Sequence, residues 1–149
     1  MNTTSILNVV RNAIIANDTR FNVNNCMVSD EAVFDYVQTN LPAVTACCVV
    51  DYGGFNNVGK SEFSGVTISH TILLNAFFII LNQNDYSSAI AEGRQFVDML
   101  INLCATDSTL GGAVMRFKLE RGTQFLLYRR GNYNYILTAV VGSVIDNVA

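Results

Sequence analysis

The chain has 149 residues, half of them apolar and only 14% charged, with a net charge of −3. That length fits one domain, able to bury roughly 70% of its unfolded surface without help from a disulfide or metal. The apolar content excludes a disordered chain, and with no basic run longer than Arg129-Arg130 a general grip on nucleic-acid phosphates is not expected.

A surface this sparsely charged is expected to be covered in part by partner subunits. The longest uninterrupted apolar run, Ala76 to Leu81, falls far short of the ~18 residues a membrane span needs. The first residues, MNTTSILNVVRNAII, carry no basic stretch or small-residue cleavage site and predict no signal peptide; the expected compartment is the cytosol. Cys26, Cys47, Cys48 and Cys104 include no C-x-x-C pair, and there is a single histidine. They read as small buried hydrophobes rather than a zinc site.

In chain order, residues 4–16 predict a helix with Ile6, Val9, Val10, Ala13 and Ile14 on one stripe and Thr3 or Thr4 as cap. The Asn-rich segment 18–28 predicts a loop with at most a short extended piece. Ser29-Asp30-Glu31 opens a second helix, with two carboxylates at its positive end, that closes at Pro42. Ala43 to Tyr52 predicts a strand. Gly53 to Ser61, with three glycines and two asparagines, predicts a mobile loop.

Ser64 to Asn82 is the longest apolar stretch. Val66, Ile68, His70, Ile72 and Leu74 alternate with Thr67, Ser69, Thr71, Leu73 and Asn75, the period of a strand with one buried face. Ala76–Leu81 is apolar at every position and should be covered on both faces. The polar row, Thr67 to Asn75, is expected to meet solvent or a neighbouring subunit.

Tyr86 to Cys104 predicts the best helix, capped by Asp85 or Ser87, with Ile90, Val97, Leu100, Ile101 and Cys104 on one face, widened by Phe96 and Leu103. A loop at 105–112 precedes Val114–Glu120, where Met115, Phe117 and Leu119 alternate with the charged row Arg116, Lys118 and Glu120. Arg121-Gly122-Thr123 predicts a turn, Gln124–Arg130 a strand, Gly131–Asn134 a hairpin connection and Tyr135–Ile145 a last strand. The fold class is therefore α+β: one largely antiparallel sheet with helices packed on it, order α-α-β-β-α-β-β-β, in a single domain spanning 1–149.

Three features invite chemistry. Gly54 to Ser61, GFNNVGKS, satisfies the letters of a phosphate loop, but that loop works from a helix N-terminus and the residues that follow read as a strand. A flexible connection between antiparallel strands is the preferred reading; a nucleotide-binding or enzymatic domain built on this loop is the alternative. His70 lies on an apolar row with no G-x-S-x-G or paired acid nearby, which predicts a hydrogen-bonded core residue. Arg129 and Arg130 beside Asn132 and Tyr133 read either as a protein-contact tip, since Arg and Tyr recur at binding hot spots, or as an ordinary hairpin. No catalytic, cofactor or metal residue is assigned, and no enzymatic activity is expected.

The layout brings together a leading amphipathic helix, a strand after a proline (LPAVTACCVVDY), a glycine-rich segment and a long strand (GVTISHTILLNAFFII). A helix (SSAIAEGRQFVDMLINL) and a C-terminal antiparallel run follow. Over nearly the whole chain this resembles bacteriophage tail terminators, or tail-completion proteins, and the wider group of neck and tail-tube joining proteins. The resemblance implies a homo-oligomeric ring, typically a hexamer, that sits on the tail tube, stops its polymerisation and receives the head–tail connector. Its partners would be further copies of itself, the tail-tube protein and a neck protein. DNA would pass through without sequence-specific binding, and the location would be the virion after assembly in the host cytoplasm. A ring built head to tail needs two different faces on each subunit. From the residues, these are expected at the Gly53–Ser61 loop, with Phe55, Asn56 and Lys60, and at the charged row Arg116, Lys118 and Glu120; the tip Arg129, Arg130, Asn132 and Tyr133 is a further candidate contact. A small protein-binding adaptor is the remaining alternative.

Overall fold

The computed structural model describes residues 2–29, 45–61, 65–81, 85–130 and 132–148. Within them the chain forms helix α1 (Thr3–Asn17), strands β1 (Cys26–Val28), β2 (Ala46–Ser61) and β3 (Gly65–Ile80), helix α2 (Tyr86–Thr106), and strands β4 (Arg116–Arg130) and β5 (Tyr133–Val148). The second helix expected after Ser29 lies outside the described residues.

The five strands make one sheet in the order β1-β2-β3-β5-β4. β2–β3, β3–β5 and β5–β4 are antiparallel, while β1 runs parallel to β2 with Cys26 level with Cys48. The sheet is therefore mixed rather than antiparallel throughout, because a short piece inside the Asn-rich segment joins its edge. The four long strands have 15 or 16 residues, roughly 50 Å of extended chain. They are as long as this because two expected breaks are bulges.

Tyr52 pairs with Ile72 and Phe55 with His70, so β2 carries one extra residue there, and Gly54 takes a φ of 106°. A second shift follows between Asn57 and Gly59. In β4 the register slips between Leu119 and Arg121 and again between Arg121 and Gln124. The expected loop Gly53–Ser61 and the expected turn Arg121–Thr123 are thus strand, and the two last-but-one strands are one. Glycine and small polar residues admit both a turn and a bulge. The neighbouring strands, which continue unbroken beside them, decide in favour of the bulge.

Alternation along the strands sorts the two faces. Cys48, Val50, Ile72, Leu74, Ala76, Phe78, Ile136, Val140 and Val144 are buried beneath the helices, joined by Ile6, Leu7, Val10 and Ile14 of α1 and by Ala89, Phe96, Leu100 and Leu103 of α2. On the opposite face Cys47, Val49, Phe77 and Tyr135 form a smaller buried cluster. Ala76–Phe78 is covered on both sides as expected, but Ile79 and Ile80 are only half-buried and Leu81, where β3 has ended, is 70% exposed.

Both helices differ in detail from the expectation. Asn2 caps α1, its Oδ1 accepting from Ser5 N at 2.8 Å, in place of Thr3 or Thr4. Asp85 occupies the N-cap position of α2 but makes no side-chain cap bond. The buried stripe of α2 runs through Ala89, Gly93, Phe96, Leu100 and Leu103, leaving Ile101 exposed and Ile90, Val97 and Cys104 half-buried. Gly93 explains the rotation. A Cβ there would collide with the Thr138 hydroxyl and meet the Phe125 ring at 3.0 Å, so the helix backbone rests directly on β5 and β4.

Arg20 locks the segment after α1 in place. It grips Asp18 through Nε (2.9 Å) and Nη2 (2.6 Å) and donates from Nη1 to the Glu92 carbonyl on α2 at 2.8 Å. Its guanidinium lies 5.0 Å from the Phe78 ring centroid. Phe21 packs edge-on to Phe96 at 5.7 Å.

Gly93→Ala tests the helix–sheet contact. Alanine normally stabilises a helix interior by up to about 1 kcal/mol over glycine. Here it should destabilise by about 1–3 kcal/mol through overpacking, read by urea unfolding. A stabilised variant would contradict the close approach.

Candidate functional site

The candidate contacts fall on two opposite edges of the sheet. On one, Phe55 (66% exposed) and Asn56 follow the first β2 bulge, and Lys60 pairs through its backbone with Val66. On the other, Arg116, Lys118, Glu120 and Arg129 line β4, Arg130 pairs with Tyr133, and Asn132 and Tyr133 are exposed at the β4–β5 connection. Asn56, Ser69, Ile145 and Arg116 stand at one level across the sheet. Three strand spacings separate its ends, roughly 14 Å. The Arg129–Tyr133 tip lies at the far end of β4, so the ten residues form no single cluster.

Among the described residues β4 has a strand partner on one side only, and on its outer side Phe117 N donates to the Ser108 carbonyl at 2.6 Å. It holds five of the chain's nine basic residues (Arg116, Lys118, Arg121, Arg129 and Arg130) and one of its twelve acidic ones (Glu120). The strand thus has a net charge of +4 and the remainder of the chain −7. Glu120, at a bulge, accepts from the buried Ser143 hydroxyl at 2.7 Å and meets Lys118 Nζ at 3.3 Å. Those two contacts, Ser143 first, hold its carboxyl below the usual 4.5. Next along the strand, Gln124, Phe125, Leu126 and Leu127 are all exposed, Leu127 by 64%. Successive strand residues point to opposite faces, so β4 presents apolar side chains on both faces as well as an open edge. The run QFLL has the composition of an ordinary strand. Its exposure follows from its edge position, which composition does not reveal. Met115, expected to face inward, is 52% exposed just ahead of β4. A groove of about 370 Å³ runs beside the strand, between Ile101 and Cys104 of α2 and Arg116–Leu119.

The phosphate-loop letters do not make a phosphate loop. Gly54 to Ser61 is extended chain whose backbone pairs with β3 from His70 to Gly65. A phosphate cradle needs converging amides at the start of a helix, and here those amides belong to a strand that turns into another strand.

His70 is buried, as its apolar row predicts, at 7% exposure. Its Nδ1 shares a 2.8 Å hydrogen bond with the Tyr52 hydroxyl across the β2 bulge. Burial pushes the imidazole below its usual 6.5, against an upward pull from Asp146, and burial also raises the Tyr52 phenol. Both rings are therefore kept neutral. Burial pushes the Cys47 thiol up to about 12, and the Cys26 thiol, followed by burial, raises that of Cys48. A thiol held protonated is a poor nucleophile. Among the described residues no group of three or more His, Cys, Asp or Glu side chains is placed to hold a metal ion, and no helix is long and apolar enough to cross a membrane.

Against protein-family models the sequence gives no match, and a search of curated proteins finds no relative.

The buried histidine makes stability pH-dependent. The unfolded chain protonates His70 near 6.5 and the folded chain only at a lower pH. Acidification through that window thus favours unfolding, by at most about 1.4 kcal/mol per pH unit for one proton. Unfolding free energy measured from pH 7 to 5 should fall in the parent and fall less in His70→Gln. Equal slopes would contradict a neutral, buried imidazole.

Proposed function

We propose that this chain is a structural subunit of a virion: a ring-forming tail terminator or close neck relative that caps a phage tail tube and receives the head connector. The observation that carries the reading is the state of β4, an edge strand with no outer strand partner among the described residues, a net charge of +4 and apolar side chains exposed on both faces at Phe125–Leu127. A long apolar edge left bare in a monomer is an aggregation site. In an assembly it becomes an interface, and with only 14% of the chain charged there is little surface polarity to keep single copies apart.

Two further points support a ring over a two-fold dimer. The candidate contacts lie on different edges, as a head-to-tail contact requires, and self-pairing of β4 would set a cationic strand against its own copy. A six-fold ring, tail-tube subunits on one side, a neck protein on the other and DNA passing without base contacts are what the resemblance to tail terminators adds.

Tube assembly is the test. Tail-tube subunits from the same genome are polymerised with and without this chain, and tube length and ends are imaged by electron microscopy. The reading predicts ring-shaped particles of the chain alone, and shortened tubes each carrying one ring at a single end. A chain that stays monomeric at high concentration and leaves tube length unchanged would overturn it.

A further inference from the structure

An assembly that covers β4 must match the backbone, charge and side chains of its outer edge. We propose that this edge, from Gln124 to Arg129, is a docking site for an extended segment of a different protein, acidic at its ends and apolar between them, which adds a strand to the sheet. The inference rests on the assembly reading for the existence of a neighbour; the edge and the chemistry of its occupant are drawn from the sheet itself.

Three observations lead to it. The first is backbone direction. In a strand the N–H and C=O of one residue point to one side and those of the next to the other, so residues that share a face share a bonding side. Phe117 faces the helices, and its amide points outward, donating to the Ser108 carbonyl at 2.6 Å. Phe125 faces the same way, its ring 3.0 Å from where a Gly93 Cβ would stand. Leu127 follows it in the alternation, paired with the core residue Ile136. Phe125 and Leu127 thus also turn their N–H and C=O groups outward. The Ser108 carbonyl and the Cys104 sulfur engage the edge at Phe117 and Leu119. Among the described residues no outer backbone partner follows between Gln124 and Arg129, which leaves a template for main-chain pairing with an added strand.

The second is composition. From Arg121 to Arg130 the strand has three arginines and no acidic residue, and Glu120 ahead of them is turned onto Ser143 and Lys118. Arg121 and Arg129 are exposed and bracket Phe125, Leu126 and Leu127, exposed on alternating faces. Opposite charges and apolar pairs directly across a ladder stabilise it. The matching strand is therefore acidic at its ends and carries apolar side chains on both faces between them.

The third observation rules out the chain's own edges as the occupant. A second β4 would bring the same arginines against themselves, and like charges across a ladder are unfavourable. On the other edge, Ala46–Val49 of β2 stand level with Gln124–Leu127, and β1 already pairs there at Cys48 and Val49. β1 itself offers three residues, none of them acidic. The acidic strand is thus supplied by another protein.

A synthetic peptide tests this. The probe is Asp-Leu-Val-Thr-Val-Leu-Asp, blocked at both ends and fluorescently labelled, whose sequence reads alike in both directions. Binding to the full chain is followed by fluorescence anisotropy, and the footprint by amide hydrogen exchange. The peptide should bind, more weakly as salt is raised, and should slow exchange at Gln124–Arg129. The same peptide with lysine ends, or with N-methylated amides, should bind about tenfold more weakly or worse. Leu127→Pro removes an outward N–H and no rung of the β5 ladder, the position at which an edge strand accepts proline. With circular dichroism and melting unchanged it should lose the peptide, whereas Leu127→Ala, which keeps the amide, should lose less. The N-methylated peptide makes the same point on the parent, whatever the folding of the proline variant. No binding, equal binding of the lysine-ended peptide, or an unchanged footprint after N-methylation would overturn the inference and leave standing a ring that caps tubes through other faces. Peptide binding by a chain that neither forms rings nor shortens tubes would support the edge site and overturn the ring reading instead. Sedimentation velocity and a random-sequence DNA duplex address the other occupants. Self-association that the peptide dissolves and Leu127→Pro abolishes would assign the edge to a second copy, and a duplex that displaces the peptide would assign it to nucleic acid; either result overturns the inference.

Discussion

Everything in this structure hangs on β3, paired with β2 from Gly65 to Phe78 on one side and with β5 from Val66 to Ile80 on the other. Two long ladders require each neighbour to remain extended wherever β3 is extended. That demand makes the glycine-rich stretch of β2 bulged strand rather than loop, and β5, held straight by β3, does the same for Arg121–Thr123 of β4. It also fixes the faces. Because side chains alternate with a period of two, once Ile72, Leu74, Ala76 and Phe78 are committed to the helices, His70 must join them, and Leu73 and Phe77 must face the other way.

The helices complete that face, and the turn after α2 reaches only the start of the β4 edge, where Phe117 N donates to the Ser108 carbonyl. α2 lies against the sheet at Gly93, in contact distance of Thr138 and Phe125, and Arg20 clamps the end of α1 to the α2 carbonyl at Glu92. Little of this reaches Leu126 and Leu127, which remain exposed on an edge strand rich in cations. Two of the buried polar side chains bridge irregular strands: His70 with Tyr52 spans the first β2 bulge, and Ser143 with Glu120 spans a bulge in β4. Those contacts keep the bulged strands in register.

Much of the fold was legible in the sequence because it is written in local periodicity. The alternation around His70, the extent of the two described helices and the final hairpin all follow from patterns within ten or so residues. What was not legible depends on partners distant in the chain. Gly53-Gly54 and Arg121–Thr123 have the composition of turns, and only pairing with β3 and β5 makes them bulges. Gly93 looks like a helix-weakening residue until Thr138 is placed beneath it. Arg20 looks like a loop cation until Asp18, Phe78 and Glu92 surround it. Of the candidate contacts, the charged row and the tip were visible as motifs. The apolar exposure at Phe125–Leu127 was not, since an edge strand and a central one share the same composition.

Amide hydrogen exchange reads the central claim most directly, because it reports on each strand's ladder separately. Followed in dilute subunits, β3 should be protected from Val66 to Phe78, with the bulged stretches Gly53–Ser61 and Arg121–Thr123 exchanging more slowly than a free loop. Loop-like exchange throughout Gly53–Ser61, or a β3 no better protected than its flanking connections, would contradict a sheet built on β3.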